Sequence, residues 1–128
     1  MSPPTSELVS IVDDDPSIRA STASLVRSFG WEAHAFASAI AFLESDALCR
    51  TRCLICDVQM PVIDGIALLE RLESAGFRLP TLFITAYASP RLLRLVQASS
   101  AMHLVEKPID AAELEAWIVR ALASHAGR

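Results

Sequence analysis

Lys107 is the only lysine in a chain whose other ten basic side chains, out of eleven Lys and Arg, are arginines. It closes the apolar run Leu104-Val105-Glu106-Lys107-Pro108. Three other strand-like runs also end on polar side chains: Leu8 to Val12 stops at Asp13-Asp14-Asp15, Cys53 to Cys56 at Asp57, and Thr81 to Ile84 at Thr85. If the four runs lie parallel in one sheet, these carboxylates, the hydroxyl and the ammonium share one edge. Clustered carboxylates repel one another, more strongly out of water, and a cation relieves that repulsion. Hard oxygen donors with room for water and phosphate oxygens suit Mg²⁺, with Mn²⁺ as a substitute. A lysine supplies a mobile point charge for a phosphoryl oxygen, and a carboxylate held beside it is placed to attack phosphorus. Asp13, Asp14 and Asp57 are the candidate metal ligands. Asp57, Thr85 and Lys107 are the candidate reacting groups. Asp15, next to Pro16, reads as a helix N-cap.

The elements that must present these residues follow from the spacing of apolar positions. Leu8–Val12, Trp31–Phe36, Arg52–Asp57, Thr81–Thr85 and Ala101–Glu106 read as strands. The third is continuously apolar, as expected of a strand buried on both faces. Between them lie amphipathic stretches. The first carries Ile18, Thr22, Leu25 and Phe29 on one face and stops at Gly30. A short helix over Ser38–Ser45 turns Ile40 and Leu43 inward, and the third aligns Ile66, Leu69 and Leu72. A fourth, Arg91–Ala98, is capped by Ser89-Pro90. The last, Ala111–Ser124, places Leu114, Trp117, Ile118, Ala121 and Leu122 on one stripe. Alternating β and α units predict an α/β fold, a five-stranded doubly wound parallel sheet with five helices. In such sheets ligands bind beyond the carboxyl ends of the strands, where the winding reverses.

Bulk properties narrow the function. A chain of 128 residues is one domain with an aliphatic core, 52% hydrophobic and 6% aromatic. Residues 1–6 read as a loose leader, 7–124 as the domain and 125–128 as a tail or the start of a linker. A formal charge of −4 and a pI near 5.3 argue against general affinity for nucleic acid or anionic membranes. Membrane-span and signal-peptide patterns are both missing, which leads to a cytoplasmic expectation. Cys53 and Cys56 form a C-x-x-C, but inside a strand rather than opening a helix, and no second pair or nearby histidine completes a zinc set. They read as small core hydrophobes. His34, His103 and His125 show no ligand spacing.

Val12-Asp13-Asp14-Asp15, Asp57-Val58-Gln59-Met60-Pro61 with Asp64-Gly65, Thr85-Ala86 and Lys107-Pro108 stand in order across nearly the whole chain. Together they resemble the receiver domain of two-component response regulators, a flavodoxin-like fold. Ser38-Ala39 with Phe42-Leu43, and Cys53-Leu54-Ile55-Cys56-Asp57-Val58, are similar to its FixJ-type branch, whose receivers often precede a helix-turn-helix output domain. The resemblance implies that Asp57 is the phosphoacceptor. It also implies Mg²⁺ held by Asp14, Asp57 and the backbone carbonyl of Gln59, with Asp13 acting through water. Lys107 would pair with the phosphoryl group from a cis peptide before Pro108, and Thr85 would move toward the phosphoryl oxygen. The implied partner is a sensor histidine kinase or a phosphotransfer protein, and the chain is a signalling protein rather than an enzyme acting on external substrates.

Two positions depart from the family pattern. Leu104 stands where an aromatic residue usually switches, and Ser100 where glycine is common. Leu104 gives some weight to an alternative, a degenerate receiver acting by protein contact without phosphorylation. A free-standing phosphotransfer catalyst or aspartyl-phosphate phosphatase is disfavoured, since the sequence has neither a P-loop nor a nucleotide fingerprint. Tyr87, the one tyrosine, is expected to shield the phosphoryl group in part. Leu92, Leu93, Leu95 and Val96 make Arg91–Ala98 apolar on more than one face. That pattern suggests a homodimer contact through this helix and the following strand.

Overall fold

The computed structural model describes residues 7–126, so the expected leader at residues 1–6 lies outside the described residues. Five strands form one parallel sheet: β1 (Leu8–Val12), β2 (Glu32–Phe36), β3 (Thr51–Asp57), β4 (Thr81–Thr85) and β5 (His103–Glu106). Their order is β2-β1-β3-β4-β5, so the winding reverses between β1 and β3. The α-helices are α1 (Pro16–Ser28), α2 (Ala39–Leu43), α3 (Gly65–Ser74), α4 (Pro90–Gln97) and α5 (Ala111–Ala126). One 3₁₀ turn, Asp46–Arg50, enters β3 and was not expected from the sequence.

β1, β3 and β4 are buried almost throughout because helices cover both faces of the sheet. Successive strand residues face opposite sides. Val9, Ile11, Cys53 and Ile55 pack with Val26 of α1 and Leu114 and Ile118 of α5. Val12, Leu54, Cys56 and Phe83 pack with Phe42 of α2, Leu68 and Leu72 of α3, and Leu92 of α4. Cys53 and Cys56, three apart on one strand, therefore point into opposite layers and cannot share a disulfide or a metal. Burial pushes the Cys53 thiol up to about 12, and Cys56 also upward, with the carboxylate of Asp57 adding to the burial. Both are inert core thiols.

Local signals in the sequence set the helix starts. Asp15 accepts hydrogen bonds from the amides of Ser17 (2.9 Å) and Ile18 (3.3 Å), as expected of the α1 cap. Asp64 caps α3 by accepting from Ala67, and Ser89 caps α4 by accepting from Leu92. Gly30 takes a φ of +100° just past α1.

Several buried faces differ from the sequence expectation. In α1 the fully buried positions are Thr22, Ala23 and Val26, while Ile18, Leu25 and Phe29 flank them. Small residues at the centre let the helix approach the sheet. In α2 Ile40 points out at 42% exposure and Phe42 points in. A helix this short is oriented by its largest side chain, and Phe42 meets Phe36 edge to face at 5.4 Å. Leu68 joins Leu69 and Leu72 as a buried residue of α3, with Ile66 at the margin. Trp117 sits at the border of the α5 stripe, stacked on His103 at 4.1 Å with the Arg120 guanidinium 4.8 Å from its ring. The boundaries move slightly: β2 starts at Glu32, β3 at Thr51 and β5 at His103, and α5 runs to Ala126.

Candidate phosphotransfer site

The register brings the sequence-predicted residues together. Val12 pairs with Cys56, Asp57 with Ile84 and Thr85 with Glu106, so Asp13, Asp57, Thr85 and Lys107 all reach the same sheet edge. This edge lies beside the switch between β1 and β3. Backbone bonds continue the ladders past the strand ends: Asp13 N–H to the Phe36 carbonyl, Val58 to Ile84 and Lys107 to Thr85. The Lys107-Pro108 peptide is cis.

One carboxylate oxygen each from Asp13, Asp14 and Asp57 lies within 4.8 Å of the others. Asp13 is wholly buried and Asp57 nearly so, whereas Asp14 is exposed. Oδ1 of Asp13 accepts from the amide of Asp15 at 2.9 Å, and Oδ1 of Asp57 accepts from the amide of Gln59 at 2.9 Å. The Lys107 ammonium bridges the pair, 3.6 Å from Asp13 Oδ2 and 3.5 Å from Asp57 Oδ2. Oδ2 of Asp13 is buried and has no hydrogen-bond partner. Burial, with the neighbouring charges of Asp57 and Asp14, raises the Asp13 carboxyl above its ordinary range; the Asp15 amide and Lys107 offset this in part. A single ammonium does not balance three carboxylates. The unsatisfied buried oxygen and the all-oxygen donor set fit a hard divalent cation.

Thr85 lies at the same edge, with its hydroxyl engaged by Tyr87. It donates to the Tyr87 carbonyl at 3.2 Å and accepts from the Tyr87 amide at 3.3 Å, closing a small turn. The Tyr87 side chain is 67% exposed. Leu104 packs partly buried against the α4 side of the core, and the Ser100 hydroxyl bonds to the Glu73 carboxylate.

Two polar residues escaped the sequence reading. Arg19 donates from Nη1 to the Asp13 carbonyl at 2.8 Å, clamping the first turn of α1 to the acidic loop. Glu106 accepts from the amide of Ala88 at 3.0 Å. Glu106 was visible beside Lys107, but nothing local marks a carboxylate at a strand end as a tether. Gly65 is needed for another reason. A Cβ there would lie 2.8 Å from the Phe83 ring and 2.9 Å from Val58 Cα, so only glycine lets α3 start this close to β3.

Comparison with known proteins agrees with this architecture. The sequence matches the response regulator receiver domain family over residues 9–119. It is 33% identical to the transcriptional regulatory protein TdiR of Thauera aromatica over 100 residues, which are 78% of this chain and 44% of TdiR. It is 32% identical to the transcriptional regulatory protein FixJ of Azorhizobium caulinodans over 125 residues, 98% of this chain and 57% of FixJ. The chain thus spans about half the length of the curated relatives it matches. Among solved structures, the chemotaxis protein CheY4 of Vibrio cholerae is 28% identical and superposes with a TM-score of 0.79 over 92% of this chain and all of that one. An acidic edge facing one lysine, on a sheet ordered β2-β1-β3-β4-β5, places this chain in the response regulator receiver domain family, in its FixJ-type branch.

Proposed function

We propose that Asp57 accepts a phosphoryl group from the phosphohistidine of a sensor kinase or phosphotransfer protein, and that the change at this edge is the signal passed on. The observation that carries this is a nearly buried aspartate facing the ammonium of the one lysine, Lys107, at 3.5 Å beside two further carboxylates. Proteins of this family act in signalling, not in turnover of external substrates. In the transfer, an Asp57 carboxylate oxygen bonds to phosphorus as the P–N bond of the donor breaks, leaving an acyl phosphate. The residues that would hold Mg²⁺, or Mn²⁺ in its place, are Asp14, Asp57 and the Gln59 carbonyl, with Asp13 reaching it through water. When bound, the cation supplies the positive charge that three carboxylates and a phosphoryl group require. Lys107 would turn its ammonium from the carboxylates to a phosphoryl oxygen, and the Thr85 hydroxyl would exchange its Tyr87 partner for another. Among the described residues no helix is long and apolar enough to cross a membrane.

Incubation with Mg²⁺ and acetyl phosphate, followed by intact-mass analysis, tests this. The expected result is a base-labile gain of one phosphoryl group that disappears in Asp57→Asn and in the presence of a chelator. An adduct that persists in Asp57→Asn would move the acceptor elsewhere. No adduct with Mg²⁺ present would remove the phosphotransfer function.

A further inference from the structure

The segment between β4 and α4 is tied at successive residues. The Thr85 hydroxyl holds both the amide and the carbonyl of Tyr87, and Glu106 holds the amide of Ala88. We propose that Glu106 is a positioning residue for Thr85: its carboxylate keeps residues 85–89 in a resting arrangement in which the hydroxyl stays bonded to Tyr87. The inference rests on the phosphotransfer at Asp57 proposed above.

Its geometry comes from the sheet. Thr85 and Glu106 are register partners on β4 and β5, and the Lys107 amide donates to the Thr85 carbonyl at 2.8 Å. The backbone at Thr85 is therefore anchored, and only the side chain and the segment beyond it are free to rearrange. Leu104 and Glu106, two apart on one strand, share the sheet face that looks toward α4. Leu104 is apolar to its tip, so it has no group with which to bind the backbone of this segment. Glu106 has such a group and uses it on Ala88. A carboxylate on a backbone N–H is a charge-assisted bond, stronger than the neutral hydroxyl contacts beside it. For the Thr85 hydroxyl to reach a phosphoryl oxygen it must leave the Tyr87 carbonyl. A shift of the segment toward Asp57 that accompanies this draws Ala88 away from Glu106. The two attachments compete, and Glu106 sets how readily the segment responds.

Amide hydrogen exchange at Ala88, followed by NMR on the 128-residue protein, reads this directly. At rest the Ala88 amide of the wild type is expected to be protected, to exchange about tenfold faster in Glu106→Ala, and to fall between in Glu106→Gln, which keeps an acceptor oxygen without its charge. On adding beryllofluoride with Mg²⁺ as a phosphoryl stand-in, the wild type is expected to lose Ala88 protection. Phosphorylation of Glu106→Ala by acetyl phosphate should be several-fold faster than that of the wild type. Equal Ala88 exchange in the wild type and Glu106→Ala at rest would overturn the tether. Undiminished protection in the wild type, once fluorine NMR shows the adduct in place, would overturn the competition. No adduct in the wild type would instead remove phosphotransfer and the switching role with it, while resting-state exchange would still decide whether Glu106 holds the segment.

Discussion

Asp13 carries the electrostatic tension of the site. One of its oxygens bonds the Asp15 amide, and the other is buried without a hydrogen-bond partner, 3.6 Å from the Lys107 ammonium. Burial raises its carboxyl above the ordinary value of 3.8, so the folded protein binds that proton more tightly than the unfolded chain. The stability from such a group is fully present below the unfolded value and is lost as pH rises through the raised folded one. Metal-free protein at neutral pH therefore holds a destabilising charge. Asp13→Asn, which keeps an oxygen acceptor for the Asp15 amide, is expected to raise the Tm at pH 7 in the presence of a chelator. The advantage should shrink as the solution is acidified toward the ordinary carboxylate range. Saturating Mg²⁺ should stabilise the wild type, by roughly 2.7 kcal/mol at a hundred times its Kd, and the variant less. Thermal melts with chelator and with Mg²⁺ check both points; a variant less stable than the wild type at pH 7 without metal would refute the first.

At the scale of elements, the precision of the site depends on how closely α3 begins beside β3. The Gly65 amide donates to the Val58 carbonyl at 3.0 Å, and there is no room for a Cβ against Phe83 and the Val58 backbone. Phe83 is wholly buried, so its ring can give way only by displacing other core side chains. Gly65→Ala is expected to cost about 1–3 kcal/mol, as overpacked cores do, and to slow phosphorylation by acetyl phosphate, since Val58 directly follows Asp57. Urea denaturation measures the first effect and initial rates the second. Wild-type stability in this variant would mean that the segment relaxes easily. The core thiols make the opposite case: Cys53 and Cys56 look like a functional pair in the sequence, yet a separation of three on a strand directs them into separate layers.

For the molecule as a whole, the exposed apolar side chains of α4 mark a surface suited to a partner. Leu92 and Val96 anchor α4 in the core, leaving Leu93 at 40% and Leu95 at 44% exposure. These two residues lie just beyond the segment that Glu106 tethers, so a shift there would re-pose them. The homodimer contact expected from the sequence through Arg91–Ala98 and the following strand would use these two side chains. Sedimentation velocity should show beryllofluoride and Mg²⁺ shifting the wild type toward dimer, and Leu95→Asp abolishing the shift with stability changed by no more than about 0.5 kcal/mol. A wild type that stays monomeric under both conditions would rule the contact out.

The parallel α/β architecture and the gathering of Asp13, Asp57, Thr85 and Lys107 at one sheet edge were legible in the residues alone. Buried parallel strands write themselves as short apolar runs, and a polar residue closing each run marks the edge where all of them end. Caps such as Asp15 and Ser89 were legible too, since they bond residues two or three positions away. Which partner each side chain selects was not. The grip of Glu106 on Ala88 joins residues eighteen apart, and the inward turn of Phe42 over Ile40 depends on the core it meets; only folding brings those partners close. The Arg19 clamp on Asp13 and the Thr85 hydroxyl's bond to the Tyr87 carbonyl are closer in sequence, six and two residues away. Their positions could be read from the helix and the strand that carry them, but a side chain adopts one of several staggered rotamers, and the folded surroundings decide which of them is free to be used.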